Sequence, residues 1–212
     1  MKKTYAVYPL YTQILKPQDD LLRIVVEYTK NIVAPGDVIA LAETVVAITQ
    51  GRAILPADVQ VSPLARFLSL FPRKDGSLAT PEAMQIAIEE VGRMKIILGA
   101  GAALCGKMIG KKGFFYLVAG RDLARIDDVA RTMWPFEEYI VLGPRDPGKL
   151  VGDIKEKTGA EAAIVDVNDA YRVDILAATE GVDFQDLVEN LLDNPFGNED
   201  QQTPFVILKK RQ

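Results

Sequence analysis

A single cysteine, Cys105, and no histidine leave this chain without a covalent or metal staple. One thiol makes no intramolecular disulfide, thiolate zinc site or iron–sulfur cluster, and there is no imidazole to bind a metal. The fold must therefore rest on an apolar core, for which 212 residues, 49% of them hydrophobic, are ample. The same two absences bound the chemistry, excluding Ser-His-Asp and Cys-His machinery. Acid–base or metal chemistry has to run on carboxylates, Lys, Tyr or backbone groups, whose hard oxygens suit Mg²⁺ or Mn²⁺.

Charge and hydropathy narrow the class further. With 25 Lys+Arg against 29 Asp+Glu the net charge is −4, which argues against a nucleic-acid binder relying on a basic surface. The opening Met1-Lys2-Lys3-Thr4 is not followed by a signal-type apolar region, because Pro9 and Lys16 interrupt it. No run approaches the roughly 18 apolar residues that span a bilayer. The expectation is a soluble cytoplasmic protein with no membrane partner. It reads as one domain over residues 1–212, with room for two closely packed subdomains.

Periodicity supplies the elements. Residues 4–10 alternate as a strand. Asp19-Asp20 open a helix with apolar residues at Leu21, Leu22, Val25, Val26, Tyr28 and Ile32, ended by Pro35-Gly36. Residues 37–49, rich in β-branched side chains, read as a long buried strand or strand pair. Residues 62–71 read as a short amphipathic helix. Thr80-Pro81-Glu82 starts another, with Thr as N-cap, Pro at the first helical position, and Met84, Ile88, Val91 and Met94 on one face. Strands are predicted at 95–98, 114–118, 139–142, 162–167 and 205–208, and helices over about 146–158 and 183–192. Strands and helices mix without steady βαβ alternation, which predicts an α+β fold of mixed sheets with flanking helices.

Four places carry candidate chemistry. Gly101 to Lys107 (Gly-Ala-Ala-Leu-Cys-Gly-Lys) matches a phosphate-binding loop up to its last position, where Met108 replaces Ser or Thr. Gly110 and Gly113 follow where a long helix is required, so the small-residue run from Gly99 reads better as close backbone packing. Lys107, Lys111 and Lys112 alternate with glycines in the densest basic patch, as phosphate contacts or as a solvated hairpin loop between strands. Asp166 ends an apolar strand and is followed by Asn168-Asp169, a place for a cation or for an Asx turn. Asp169 and Asp174 lie close enough in sequence to share a cation if the turn folds back. Asp122, after Gly120, is a ligand candidate or a helix N-cap.

These segments together resemble the coenzyme F-420 gamma-glutamyl ligase family. The resemblance runs from Ile14-Leu15-Lys16-Pro17-Gln18-Asp19-Asp20-Leu21 through Pro35-Gly36-Asp37-Val38-Ile39 to Gly51-Arg52. It continues through Ala119-Gly120-Arg121-Asp122 and Leu142-Gly143-Pro144-Arg145-Asp146-Pro147 to Ile164-Val165-Asp166-Val167. It implies a ligase that uses GTP (or ATP) and Mg²⁺ or Mn²⁺ to activate a small carboxylate acceptor as an acyl phosphate. The amine of an amino acid then forms a gamma-glutamyl or related amide. It further implies that Asp122 and Asp166 hold metal and that the protein is a homodimer; on this reading Asp169 is a further metal candidate, and Lys107, Lys111, Lys112 or Arg172 must meet the phosphates. Residues 38–48 are the expected interface.

The sequence also departs from the family pattern. Glu43-Thr44 and Ala47-Ile48 stand where the family carries polar pairs with lysine, Val118 replaces an Asn, and Val167 replaces the Thr after the metal aspartate. These departures keep a second reading open, a non-catalytic ligand-binding or interaction protein on the same scaffold.

Overall fold

The computed structural model describes residues 4–72, 78–111, 113–126, 134–168, 171–197 and 201–211, without the side chains of Arg121, Asp122 and Asn168. The chain divides into two compact units. The first is built from Met1–Gly51, Thr132–Trp134 and Pro144–Gln212; the second, from Arg52–Arg131 and Pro135–Gly143, is inserted between them in chain order.

The first unit is organised on five strands, β1 (Tyr5–Leu10), β2 (Val38–Ala42), β5 (Glu161–Asn168), β6 (Arg172–Ala178) and β7 (Phe205–Lys210), in the order β1-β7-β2-β5-β6. Only β2 and β5 run parallel; the other neighbours are antiparallel. Alternate side chains of these strands face opposite ways. Ile39, Leu41, Ala162, Ile164 and Ile207 meet helices α1 (Leu21–Thr29) and α7 (Pro147–Thr158). Val38, Ala40, Ala163, Val165 and Val206 meet Leu187 and Leu191 of α8 (Phe184–Leu191). A central strand buried on both faces reads as a continuous apolar run, which is why Val-Ile-Ala-Leu-Ala shows no alternation.

Local signals set the helix ends. Asp20 accepts from the Arg23 amide at 3.0 Å and Asp183 from the Asp186 amide at 3.0 Å, each as N-cap. Pro147 starts α7, and Gly159 closes it in the left-handed conformation at φ +74°. Lys155 Nζ lies 2.8 Å from Glu161 Oε1, and the Thr179 hydroxyl donates to Glu161 Oε2. Burial pushes the Glu161 carboxyl up. The hydrogen bonds from Lys155 and Thr179, the Lys155 charge and the Gly181 amide outweigh it and hold the group below the usual carboxylate range. Asp37 is buried, and its carboxylate accepts from the Ala34 amide at 2.9 Å and the Lys210 amide at 3.0 Å, tying the start of β2 to the end of β7.

The second unit is mainly helical: α3 (Pro63–Leu68), α4 (Pro81–Val91), α5 (Arg93–Met108) and α6 (Phe114–Ala119), with the two-residue pair β3 (Ala53–Ile54) and β4 (Ile140–Val141). Its core gathers Leu78, Met84, Ile88, Ile96, Leu123 and Ile140. Thr80 caps α4 by accepting from the Ala83 amide at 3.2 Å, as its sequence signature predicts. Arg52 donates to the Gly143 carbonyl at 2.6 Å and to Glu90 at 2.9 Å, fixing the end of α4 against the strand pair.

The chain is thus an α+β protein, and several elements differ from their sequence expectation. Residues 37–49 are not one long strand: β2 ends at Ala42 and α2 (Glu43–Thr49) follows directly. Its β-branched residues tolerate the helix because Val46, Ala47 and Ile48 are buried, and the Thr49 hydroxyl bonds back to the Val45 and Val46 carbonyls. Of the stretch expected as an interface, residues 38–41 and 46–48 are buried within the chain and 42–45 are half-buried. Residues 95–98 and 114–118 are helical, within α5 and α6, because short apolar runs do not distinguish a buried strand from a helix. Met94 belongs to α5, since Gly92 at φ +88° breaks the chain between α4 and α5. Helix α1 ends at Thr29, short of Pro35.

Candidate functional site

Antiparallel pairing of β5 and β6 sets the geometry. Val165 pairs with Ile175, Asp166 with Asp174, Val167 with Val173 and Asn168 with Arg172. The apolar-Asp-apolar triplet on one strand therefore mirrors the triplet on the other. The flanking valines and Ile175 pack toward α8. Asp166 and Asp174 consequently share the opposite face, at the end of the strands that α1 and α7 leave uncovered, and both are exposed.

Strand β5 runs past Asp166 to Asn168, and the Asx-turn reading of Asn168-Asp169 lies outside the described residues. The turn does fold back, and what it brings against Asp166 is Asp174. Arg172, also exposed, adds a cation two residues before Asp174, and the adjoining Tyr171 is held in the left-handed region at φ +56°. On the other side, Ala42 pairs with Val165, so β2 hands over to α2 at Glu43 beside this strand end. Among the described residues no group of three or more Asp, Glu or Cys side chains gathers as a metal cluster. The described donor set is the Asp166–Asp174 pair. Two hard, exposed carboxylates are the donor chemistry that suits a Mg²⁺ or Mn²⁺ ion, which keeps several waters and takes phosphate oxygens as further ligands.

Asp169 and Lys112 lie outside the described residues. Asp122 sits inside the 3-10 turn Arg121–Arg125, whose N-cap is Gly120, so it is not the N-cap of a following helix; its side chain lies outside the description. Lys107 and Lys111 are exposed at the junction of α5 and α6. That junction joins two helices, not two strands. The loop-like motif Gly101 to Lys107 lies within α5, so its amides are committed to helix hydrogen bonds and form no phosphate cradle. The glycines serve packing: a Cβ on Gly99 would stand 2.8 Å from the Ala119 Cβ, and one on Gly106 would stand 2.9 Å from the Lys111 carbonyl oxygen.

The sequence reading sets Asp174 beside Asp169; its pairing with Asp166 was not expected because β6 itself was not. The signal was present in the mirrored Val-Asp-Val and Val-Asp-Ile triplets.

Fold and site together define an α+β protein with an acidic site at the end of a mixed sheet. A family model described as F420-0:Gamma-glutamyl ligase matches residues 9–182, and the chain belongs to that family. Gamma-glutamyl ligation in general is the class of activity to which this membership attaches it. Comparison with curated proteins finds no match. Among the described residues no helix is long and apolar enough to cross a membrane.

Proposed function

We propose that the protein is a nucleoside-triphosphate-dependent ligase that joins glutamate or a related amino acid to a small carboxylate acceptor. The observation that carries the reading is the exposed Asp166–Asp174 pair within the stretch that matches the ligase family. The acceptor carboxylate attacks the γ-phosphorus of GTP or ATP, the bond to the nucleoside diphosphate breaks, and an acyl phosphate forms. The amino group then attacks the acyl carbon, inorganic phosphate leaves, and the nitrogen gives up a proton. Neither step requires His or Cys.

Such a reaction is driven by positioning and by neutralising phosphoryl charge. Asp166 and Asp174 would hold Mg²⁺ or Mn²⁺, which supplies that neutralisation when bound, and Arg172 would pair with a phosphate oxygen. Asp169 would be a further metal ligand in this reading. A homodimer in the cytoplasm is part of the same proposal.

One observation favours a second reading. Ala47 and Ile48, at positions polar in the family pattern, are buried, so they present nothing to a phosphate; a binding protein on the ligase scaffold accounts for that.

Incubating the protein with GTP, Mn²⁺, L-glutamate and F420-0, the acceptor named in the family's description, separates the two. The ligase reading expects a glutamyl adduct by mass spectrometry, phosphate released in equal amount, and loss of both in Asp166→Asn. Nucleotide and glutamate left unchanged favour the binding protein.

A further inference from the structure

The most unusual surface lies on α5 and has no part in the proposed reaction. At positions 94, 97, 98, 101, 104, 105 and 108, which follow helical spacing, the chain places Met, Ile, Leu, Gly, Leu, Cys and Met. All seven are exposed, Met94 by 69%, Leu98 by 58%, Leu104 by 64% and Met108 by 82%. The opposite side of the same helix is spent on its own unit, through Ile96 in the core and Gly99 and Gly106 against α6. Helix α6 adds exposed Leu117 and Val118, and Ile109 follows at the turn. An apolar face this continuous marks a docking surface.

Its occupant is indicated by the charges around it. Arg93, Lys95, Lys107 and Lys111 are exposed on and beside α5, and the sequence from 93 to 121 holds no Asp or Glu, in a chain whose net charge is −4. A second copy of the chain would bring like charges together at this face. An anionic bilayer matches both features, offering acyl chains to the stripe and negative headgroups to its basic rim. The helix has 16 residues and two lysines, too short and too charged to cross a bilayer, so it fits one lying in the interface plane.

We infer that the α5–α6 hairpin docks this protein reversibly on the surface of anionic lipid bilayers. The inference is independent of the ligase reading, because it uses none of Asp166, Arg172 or Asp174.

Cys105 lies within the stripe and is the only cysteine, so it accepts an environment-sensitive fluorophore at one site. The labelled full-length protein is mixed with vesicles of phosphatidylcholine alone or of phosphatidylcholine with phosphatidylglycerol. Flotation with the anionic vesicles only, a blue shift of the label, and release by salt are expected. Unlabelled Leu98→Glu/Leu104→Glu should lose flotation, and Lys95→Gln alone should weaken it by about fivefold, the effect of one charge near the surface. Failure of the wild type to float with phosphatidylglycerol vesicles overturns the inference. So does flotation unchanged by the double variant, or a sedimenting dimer that Leu104→Glu dissociates.

Discussion

Asp166 of β5 and Asp174 of β6 stand directly opposite each other in an antiparallel pair, on a face left uncovered at the strand ends. Opposed positions on an antiparallel pair bring the two carboxylates close enough to act on one cation. This relationship makes the hairpin, rather than any glycine-rich loop, the centre of the proposed site.

Arg172 pairs in register with Asn168 and is exposed two residues from Asp174. Its assignment to a phosphate predicts that Arg172→Met weakens nucleotide binding by about 1.5–3 kcal/mol, the usual worth of a hydrogen bond to a charged group. Mn²⁺ binding in the absence of nucleotide should be retained. Calorimetric titration of the variant with GTP and with Mn²⁺ separately tests both halves.

Glu161 carries a pH prediction. Its folded carboxyl titrates below the ordinary carboxylate range. Its stabilising contribution is therefore fully present above the unfolded-chain value of about 4.3 and is lost as pH falls through the lowered folded value. Glu161→Gln should cost about 1 kcal/mol at neutral pH, given the partial exposure of Lys155, and progressively less in acid. Urea unfolding of both proteins at several pH values shows whether the difference closes.

Two glycines of α5 should respond oppositely. At Gly101 nothing lies within 4 Å of an added Cβ, so Gly101→Ala gains helix propensity of about 0.5–1 kcal/mol. Gly99→Ala gains the same but drives a methyl to 2.8 Å from Ala119, an overpacking cost of about 1–3 kcal/mol. Thermal unfolding should rank Gly101→Ala above the wild type and Gly99→Ala below it.

Asp37 holds two backbone amides from separate segments within a buried site. Asp37→Ala leaves both donors unsatisfied and should cost about 2–4 kcal/mol, whereas Asp37→Asn keeps one acceptor and costs less. Chemical denaturation of the two variants gives the comparison.

Much of this was legible in the sequence where a local signal has one meaning. Thr80-Pro81, Pro147 with Gly159, and Asp183 mark helix ends whatever surrounds them, and each lies where expected. Residues 43–49, 95–98 and 114–118 misled because apolar, β-branched runs favour strand unless tertiary packing decides otherwise. In α5 that packing is the close approach of Gly99 and Gly106 to α6. Asp166 was legible as a strand-end carboxylate and Asp174 as a candidate cation ligand, but their pairing was not. Register is a property of two strands, and β6, an edge strand whose first three residues include the charged Arg172 and Asp174, was not seen as one.

The central claim is that Asp166 and Asp174 hold a divalent cation together with the nucleotide. Titrating the protein with Mn²⁺ while following the free-ion signal by electron paramagnetic resonance, with and without GTP, measures this directly. The account predicts that the wild type depletes free Mn²⁺ beyond what GTP alone removes, and that Asp166→Asn and Asp174→Asn, though folded, do not. Equal depletion by either variant, or none by the wild type, would contradict it.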